Sequence, residues 1–266
     1  MGKLTKLLSL KGRRVLVTGA TGALGRVISE TMAELGAELW LVDRPGSDFG
    51  NLTAHLADYP DSKQICFSCD LESQEDRDQI VAAVRRAGQL DVLINNAAFV
   101  GASDLQGWAL PFEQQSVETW RRAMEVNVTA VFDLTKQLAD SLRQSTRASV
   151  INVGSIYGIL GPNWGLYEGT AMANPAAYAA SKGGVVQLTR WMATTLAPDV
   201  RVNCVSPGGI FRQQPDVFVK RYEAMTPLGR MATEEDFRGV FAYLASDMSQ
   251  YVTGQNLTVD GGWSAW

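Results

Sequence analysis

Two residues able to carry proton chemistry, Tyr178 and Lys182, stand four positions apart in an alanine-rich stretch of helical character. Side chains at this spacing leave one face of a helix, so the phenol and the ammonium can meet. A free phenol has a pKa of about 10, and a neighbouring positive charge favours the phenolate. The pair therefore predicts general acid–base chemistry, although an aromatic–cation pair on a surface has the same spacing.

A glycine-rich turn follows the first apolar run of the chain, RVLVT at 14–18, and a helical pattern follows the turn. Glycines at such a turn allow a pyrophosphate to reach the backbone N–H groups at the helix N-terminus. The turn, at 18–25, therefore predicts a dinucleotide site. Its candidate binding residues are Gly19, Thr21, Gly22, Leu24 and Gly25.

An acidic residue, Asp43, ends the second apolar run. Its carboxylate can accept hydrogen bonds from both adenosine ribose hydroxyls and would repel a 2′-phosphate, so NAD is favoured over NADP. Arg44 beside it could neutralise such a phosphate, which leaves NADP or dual use open. Asp43 could also be an ordinary solvated strand end.

Seven short apolar runs alternate with segments of helical length. They are RVLVT at 14–18, ELWLVD at 38–43, QICFSCD at 64–70, LDVLIN at 90–95, SVINV at 149–153, RVNCVS at 201–206 and NLTVD at 256–260. Their continuous hydrophobicity is typical of strands covered on both faces. This rhythm predicts an α/β fold: a Rossmann-like, doubly wound, mainly parallel sheet with helices on both faces.

Boundary signals divide the segments between these runs. Ser73 with Asp76 resembles a capping box, Gly36 follows a helix, and Pro175 precedes a helix that runs to Ala197. No repeat, low-complexity segment or linker separates a second domain, so residues 1–266 are predicted to form one domain. The section with turn residues and no clear period is 158–174, and loops of this length are usually functional or disordered.

Charge and composition favour small-molecule partners. The net charge is -4 and no run of like charges suggests a nucleic-acid surface. No apolar stretch is long enough to span a membrane, and the N-terminus lacks a signal-peptide pattern, so we expect a cytoplasmic protein. Cys66 and Cys69 form a C-x-x-C that could be a redox pair or half a zinc site, but we expect buried structural thiols and no bound metal. His55 is expected to be an incidental surface residue.

Two further motifs end the third and fourth runs, at the edge where open α/β sheets bind ligands. They are Asp70 with Leu71, and Asn96 with Ala97 and Ala98. Either motif alone could be a turn. Together they are predicted to line the dinucleotide crevice.

Over essentially its whole length the sequence resembles the single-domain branch of the short-chain dehydrogenase/reductase family. The motifs that carry the resemblance are TGATGALG, CDL, NNAA, MEVNV, INVGS, YAASK, VRVNCVSPGG and VTGQNLTVDGG. The resemblance implies a seven-stranded sheet and commonly a tetramer, so we expect a homo-oligomer. It assigns Ser155 a hydrogen bond to the substrate oxygen and Asn127 a water that links Lys182 to solvent. Pro207, Gly208 and Ile210 would bind the nicotinamide carboxamide through the backbone.

Two departures from the family pattern concern the glycines and the substrate site. The turn has Ala23 where single-domain members usually have glycine, and Ser155 precedes Tyr178 by more residues than is usual. The extra residues form an insertion at 158–174, which we expect to wall the substrate pocket, and 211–222 is expected to be a mobile lid. The candidate substrate residues are Tyr157, Trp164, Tyr167, Glu168 and Arg212. Alternatively, the aromatic residues of the insertion pack against a neighbouring subunit.

The leading functional hypothesis is hydride transfer between NAD and a secondary alcohol or ketone, possibly of a sugar. The alternatives are a dinucleotide-sensing regulatory protein without turnover, a reductase of a 3-oxoacyl or polyol-type ketone, and an epimerase or dehydratase acting on a nucleotide sugar. The C-terminal third also resembles oxidoreductases found with bacterial surface-polysaccharide, nonulosonic-acid and flagellin-glycosylation genes, which would make the substrate a carbohydrate.

Overall fold

The computed structural model describes residues 2–101 and 103–266. Seven strands form one sheet in the order β3-β2-β1-β4-β5-β6-β7, and every neighbouring pair is parallel. The strands are β1 Arg14–Thr18, β2 Glu38–Asp43, β3 Gln64–Ser68, β4 Val92–Asn95, β5 Ala148–Val153, β6 Val200–Pro207 and β7 Asn256–Val259. Each lies within or over one of the seven apolar runs, which confirms the predicted architecture.

One helix precedes the first strand of this sheet, and the others lie in the connections between strands. They are α1 Lys3–Leu8, α2 Ala23–Glu34, α3 Phe49–Leu56, α4 Gln74–Ala87, α5 Val117–Met124, α6 Ala130–Arg143, α7 Ala176–Leu196, α8 Asp216–Ala224 and α9 Arg238–Ala245. A five-residue π-helical turn, Glu125–Thr129, joins α5 to α6. The predicted boundaries are confirmed at Ser73, whose side chain caps α4, and at Pro175, which precedes α7.

The core has two layers, one on each face of the sheet. Val15 and Val17 of β1 pack into the layer formed with α2, α3 and α9. Leu16, which points to the opposite face, packs with α4, α6 and α7. Alternate residues of a strand face opposite sides, so the continuous apolar run of β1 serves both layers. The sheet is therefore doubly wound, as predicted.

The strand order reverses direction between β1 and β4, which are neighbours although β2 and β3 intervene in the chain. Connections from these two strands lead away to opposite sides, and a crevice opens at their carboxyl ends. The glycine-rich turn after β1 and the Asn96 motif after β4 therefore meet at this crevice. The fold thus brings together motifs that are far apart in the sequence.

The edge strand β3 differs from expectation. Its residues are only half-buried or exposed, and Cys66 is exposed, so its prediction as a buried thiol was wrong. Because β3 pairs only with β2, one of its edges has no partner strand among the described residues. Cys69 is buried as predicted, and burial raises its pKa to about 12. His55 is exposed on α3, as predicted.

A second long connection, residues 96–116 between β4 and α5, accompanies the insertion at 158–174. Only the insertion was predicted from the sequence. Trp108 is buried within this connection and donates a hydrogen bond from Nε1 to the carbonyl of Val100 at 2.8 Å. An aromatic anchor of this kind gives a long connection a defined path.

None of the helices in the described ranges has both the length and the apolar character needed to cross a bilayer. Within residues 2–101 and 103–266, no three His, Cys, Asp or Glu side chains are grouped so that they could hold a metal ion.

Candidate active site

A cleft of about 870 Å³ lies at the carboxyl ends of the central strands. The glycine-rich turn and Asp43 border one end, while Ser155, Tyr178 and Lys182 border the other. All the residues predicted to bind the dinucleotide line it: Gly19, Thr21, Gly22, Leu24, Gly25, Asp43, Arg44, Asp70, Leu71, Asn96, Ala97, Ala98, Tyr178, Lys182, Pro207, Gly208 and Ile210. The structure thus assembles the two groups of motifs in one cavity.

The turn between β1 and α2 needs glycine at two positions for different reasons. Gly19 has a φ of 65°, a conformation that side chains disfavour. A Cβ on Gly25 would lie 2.0 Å from the carbonyl oxygen of Gly19. Ala23, the departure from the family pattern, is exposed at the cleft surface, so its methyl group does not strain the turn. The residues present therefore fit a pyrophosphate at the N-terminus of α2.

Side chains at the ends of β1 and β4 hold this turn in place. Asn96 donates from Nδ2 to the carbonyl oxygens of Thr18 at 2.9 Å and Gly19 at 3.0 Å. The Thr18 hydroxyl accepts hydrogen bonds from the N–H groups of Asn96 and Ala97, both at 3.1 Å. Thr18 was not among the predicted site residues. Its signal in the sequence was a threonine at the end of an apolar run, directly before the glycine-rich turn.

Asp43 is tied to the glycine-rich turn. Its Oδ2 accepts hydrogen bonds from the N–H and the hydroxyl of Thr21, both at 2.8 Å. The other oxygen, Oδ1, accepts from the Arg44 N–H at 2.8 Å and the Ser47 hydroxyl at 3.0 Å. A carboxylate offers about four acceptor sites, and all are engaged. Asp43 therefore orders the turn, and a ribose hydroxyl would replace the Thr21 or the Ser47 hydroxyl.

At the other end of the cleft, α7 presents Tyr178 and Lys182 on one face. The Lys182 Nζ lies 5.9 Å from the Tyr178 ring centroid and donates a hydrogen bond to the Val153 carbonyl at 2.7 Å. Ser155 follows β5, and its Oγ accepts a hydrogen bond from the Tyr157 N–H at 3.2 Å. The strand end and the first turns of α7 thereby bring a serine, a tyrosine and a lysine together.

The pKa values of the two titratable groups shift in opposite directions. Enclosure in the cleft raises the pKa of Tyr178, while the neighbouring Ser155 and the positive charge of Arg212 lower it. Burial lowers the pKa of Lys182 to about 8. We predicted that the lysine charge would favour the phenolate, but the larger influence on Tyr178 in this structure is its enclosure.

The lowered pKa of Lys182 predicts a pH-dependent stability difference. Between about pH 8, its folded value, and about 10.4, the value of a free lysine, the unfolded chain binds more protons, so stability contributed by this group rises with pH. We expect Lys182→Met to melt higher than the wild type at pH 7, with the difference shrinking by pH 10. Thermal unfolding across this range measures it. Lys220→Met, at an exposed position on α8, is the matched control, and the same pH dependence in both variants would contradict the assignment.

Asn127 does not line the cleft. Its Oδ1 accepts a hydrogen bond from the Phe99 N–H at 2.8 Å, while Nδ2 donates to the Phe99 carbonyl at 3.0 Å and to the Ser181 hydroxyl at 2.9 Å. Both amide hydrogens are thus used within the protein. The side chain joins the β4 connection to α7 and has no donor left for a water, so the water link to Lys182 stays a prediction. Single π-helical turns such as Glu125–Thr129 occur frequently at functional sites.

The loop after β6 is held by contacts that the sequence analysis missed. Gly208 donates its N–H to the Val259 carbonyl at 2.9 Å, and the Gly209 N–H donates to the Tyr222 hydroxyl at 2.5 Å. Tyr222 stacks on Trp263 with a centroid distance of 4.3 Å. These partners are distant in sequence, so no local pattern could reveal them.

The predicted lid, 211–222, divides into two parts. Residues 211–215 form a loop, whereas 216–222 belong to α8, whose Phe218 and Tyr222 are buried. Mobility of the loop stays a prediction, but α8 is anchored by its aromatic packing. Arg212 lines the cleft as predicted, and its Nε is 2.9 Å from Glu234 Oε1.

The insertion at 158–174 contributes to the cleft with one face. Tyr167 lines the cavity together with Tyr157, and their hydroxyl oxygens are 2.7 Å apart. Trp164 and Glu168 do not line it and are exposed, so their prediction as substrate contacts was wrong. The chain passes Trp164 before it turns inward at Tyr167, which is buried against Phe218 at 5.5 Å between ring centroids.

Both ends of the insertion are fixed at the reaction centre. Gly158 approaches the backbone of Lys182 so closely that a Cβ would lie 2.7 Å from its carbonyl carbon. At the other end, Pro175 accepts hydrogen bonds from the N–H groups of Tyr178 at 3.0 Å and Ala179 at 3.2 Å. Asn174, directly before it, is buried and lines the cleft. It was missed because a single Asn before Pro reads as a turn signal.

Known proteins similar to this chain are oxidoreductases, in agreement with the residues that line the cleft. The family model described as "Enoyl-(Acyl carrier protein) reductase", of the short-chain dehydrogenase type, matches residues 19–264. The chain belongs to the short-chain dehydrogenase/reductase family. It is therefore an enzyme that interconverts alcohol and keto groups with a nicotinamide dinucleotide, and the alternative of a regulatory protein without turnover is set aside.

Three relatives define the comparison further. The rhamnolipids biosynthesis 3-oxoacyl-[acyl-carrier-protein] reductase of Pseudomonas aeruginosa is 31% identical over 96% of this chain and 97% of that protein. A gluconate 5-dehydrogenase from Burkholderia cenocepacia, solved with NADP and tartrate, is 25% identical with a TM-score of 0.84 and covers 99% of each chain. A short-chain dehydrogenase from Leptospira borgpetersenii with bound NAD⁺ is 29% identical with a TM-score of 0.83, covering 99% of this chain and 96% of that one.

Proposed function

We propose that the protein is an NAD-preferring oxidoreductase of a hydroxylated secondary alcohol or ketone, with Tyr178 as the group that transfers the proton. The observation that carries the proposal is the position of Ser155, Tyr178 and Lys182 in the same cleft as the glycine-rich turn. The bound dinucleotide supplies or accepts the hydride. The protein supplies orientation and a path for the proton.

The roles of the three side chains follow from their surroundings. The Tyr178 hydroxyl donates a proton to the substrate oxygen during reduction and accepts it during oxidation. Ser155 holds that oxygen by a hydrogen bond, and its own position is fixed by the Tyr157 N–H. Lys182, held by the Val153 carbonyl, would hold the nicotinamide ribose and favour the ionised form of Tyr178 when charged. Asn127 acts as a positioning residue through Phe99 and Ser181.

The preference for NAD is supported by the charge of Asp43 at the adenosine end of the cleft. A 2′-phosphate there would face a carboxylate that cannot move without releasing Thr21. The adjacent Arg44 favours the phosphate, and relatives with NADP as well as with NAD⁺ are known. The balance between the negative charge of Asp43 and the positive charge of Arg44 therefore selects between NAD and NADP.

Replacing Asp43 with alanine should weaken NAD binding about tenfold and reduce the preference for NAD over NADP by at least as much. It removes hydrogen bonds to a charged group, worth about 1.5–3 kcal/mol, together with a repulsion. Calorimetry with both dinucleotides measures the change. Ser47→Ala, which removes one hydrogen bond to the same carboxylate, should retain the preference. An unchanged ratio in Asp43→Ala would show that another residue selects the cofactor.

The test of the function itself is a turnover assay with purified protein, NADH or NADPH, and three ketone classes: hydroxyketones and ketoses, a 3-oxoacyl thioester, and simple ketones. Oxidation of NADH by a hydroxyketone at a kcat/KM at least ten times that for the thioester supports the proposal. A preference for the 3-oxoacyl thioester would favour the second candidate, suggested by the relative that reduces such substrates. The narrower resemblance to enzymes of polysaccharide gene clusters stays a prediction.

We also propose a homo-oligomer and a cytoplasmic location. Exposed apolar side chains on neighbouring helices support the first: Val117, Trp120, Phe132 and Trp191. Trp164, which is 56% exposed, is a further candidate for contact with a neighbouring subunit. The second is supported by three free cysteines, since disulfides are typical of oxidising compartments. Sedimentation velocity and cell fractionation test these two proposals.

A further inference from the structure

A buried amide oxygen at the substrate end of the cleft lacks a hydrogen-bond partner. Asn174 is 5% exposed, and its Oδ1 is one of two buried side-chain polar atoms in the described residues without a partner. An unpaired buried acceptor is costly, and such atoms in native proteins call for an explanation. Asn174 lines the cleft and precedes Tyr178 by four residues. The residue that carries the unpaired oxygen therefore lines the reaction chamber.

Two tyrosine hydroxyls lie beside this amide. Burial raises the pKa of Tyr157 and of Tyr167 while the Asn174 side chain lowers both, so the amide lies close to the two hydroxyls, which line the same cleft. The two hydroxyl oxygens are 2.7 Å apart, and one donates to the other. One hydroxyl hydrogen is thus left to donate to a ligand, while Asn174 Oδ1 is left to accept from one.

A site with one free donor and one free acceptor matches an alcohol hydroxyl, which both accepts and donates. A carboxylate would satisfy the tyrosine donor but not the amide oxygen. The thioester and keto oxygens of a 3-oxoacyl group would fail in the same way. Burial raises the pKa of Tyr157 and of Tyr167, so both hydroxyls stay neutral donors at physiological pH.

Tyr157 and Asn174 lie close in the chain to the reacting groups Ser155 and Tyr178. Tyr157 follows Ser155 by two residues, and its backbone N–H donates a hydrogen bond to the Ser155 hydroxyl. Asn174 stands directly before Pro175, which begins the helix that carries Tyr178. A substrate carbonyl held between Ser155 and Tyr178 would therefore have one of its two neighbouring carbons in the part of the cleft that these residues line.

We propose that Asn174, with Tyr157 and Tyr167, forms a subsite for a hydroxyl group on the carbon next to the reacting carbonyl, so that the substrates are α-hydroxyketones and the corresponding vicinal diols. This inference rests on the proposed function. It adds the substrate class and a specificity-determining residue.

The test compares two ketones of nearly equal shape, 1-hydroxybutan-2-one and pentan-3-one, which differ by a hydroxyl in place of a methyl group. We expect the wild type to prefer the hydroxyketone by at least about 30-fold in kcat/KM, because two hydrogen bonds are lost with the other compound. Asn174→Leu should reduce this preference to within about threefold by lowering kcat/KM for the hydroxyketone alone. Its melting temperature should not fall, since an unpaired buried polar group is removed.

Asn174→Ala repeats the test with a smaller side chain, and Tyr251→Ala, at a fully exposed position outside the cleft, should keep the wild-type preference. Equal losses for both ketones, together with a lower melting temperature, would mean that Asn174 is structural and would overturn the inference. So would a wild type that reduces the two ketones equally. Failure to reduce either ketone with either dinucleotide would instead overturn the proposed function, and this inference with it.

Discussion

Tyr178→Phe should lower kcat by about 10²- to 10⁴-fold while changing the affinity for NADH by less than about twofold. The reason is that the phenol hydroxyl moves the proton, a contribution of this size in general acid–base catalysis. The ring that packs beneath Lys182 is kept in the variant. Stopped-flow or steady-state oxidation of NADH with the best hydroxyketone measures kcat, and fluorescence titration measures the affinity.

Tyr167→Phe serves as the matched control, because it also loses a hydroxyl in the same cleft. It should alter KM for hydroxyketones more than kcat. If Tyr178→Phe retained more than a tenth of wild-type kcat, the proton would have to come from another group, and the assignment of Tyr178 would fail.

Gly25→Ala should reduce dinucleotide affinity about 100-fold. The added Cβ would lie 2.0 Å from the carbonyl oxygen of Gly19, and that oxygen is part of a backbone turn that cannot move alone. Overpacking costs of about 1–3 kcal/mol correspond to roughly 5- to 150-fold in affinity, and a backbone clash belongs at the upper end. Calorimetric titration with NAD⁺ checks the loss.

Gly239→Ala provides the comparison. This glycine also lies in the first turn of a helix, α9, but a Cβ there meets nothing within 4 Å. Alanine is the better helix former by about 1 kcal/mol, so this variant should bind the dinucleotide normally and melt at the same temperature or higher. Normal binding by Gly25→Ala as well would show that the turn is more adaptable than its contacts imply.

The extent to which the fold could be predicted depended on burial. β1 and β2 were predicted at their full bounds because both faces of each strand are covered, and their apolar runs are continuous. β3 has a similar composition, yet it lies at the sheet edge and Cys66 is exposed. Strand order is a property of the whole chain, and the residues QICFS alone do not indicate that β3 lies at the edge of the sheet.

The candidate site could be predicted where its residues come in motifs. Tyr178 and Lys182 share a helix, and the glycines share a turn, so their spacing carries the geometry. Trp164 and Glu168 were misplaced because the ends of the insertion are fixed but its path is not set by any period. Tyr222 acts through Trp263, a partner distant in sequence, and Asn174 belongs to no motif, so only the folded chain brings them to the cleft.

The attachment of the insertion has a consequence for how such enzymes diversify. Its ends, Gly158 and Asn174, are held against the helix that carries Tyr178, while its middle faces outward at Trp164. Its exposed middle can therefore be randomised by an engineer while both ends stay against this helix. Because Tyr167 lies within 159–173 and lines the cleft, exchanging this segment would reshape the substrate end of the cavity, whereas Tyr178 and Lys182 lie outside it.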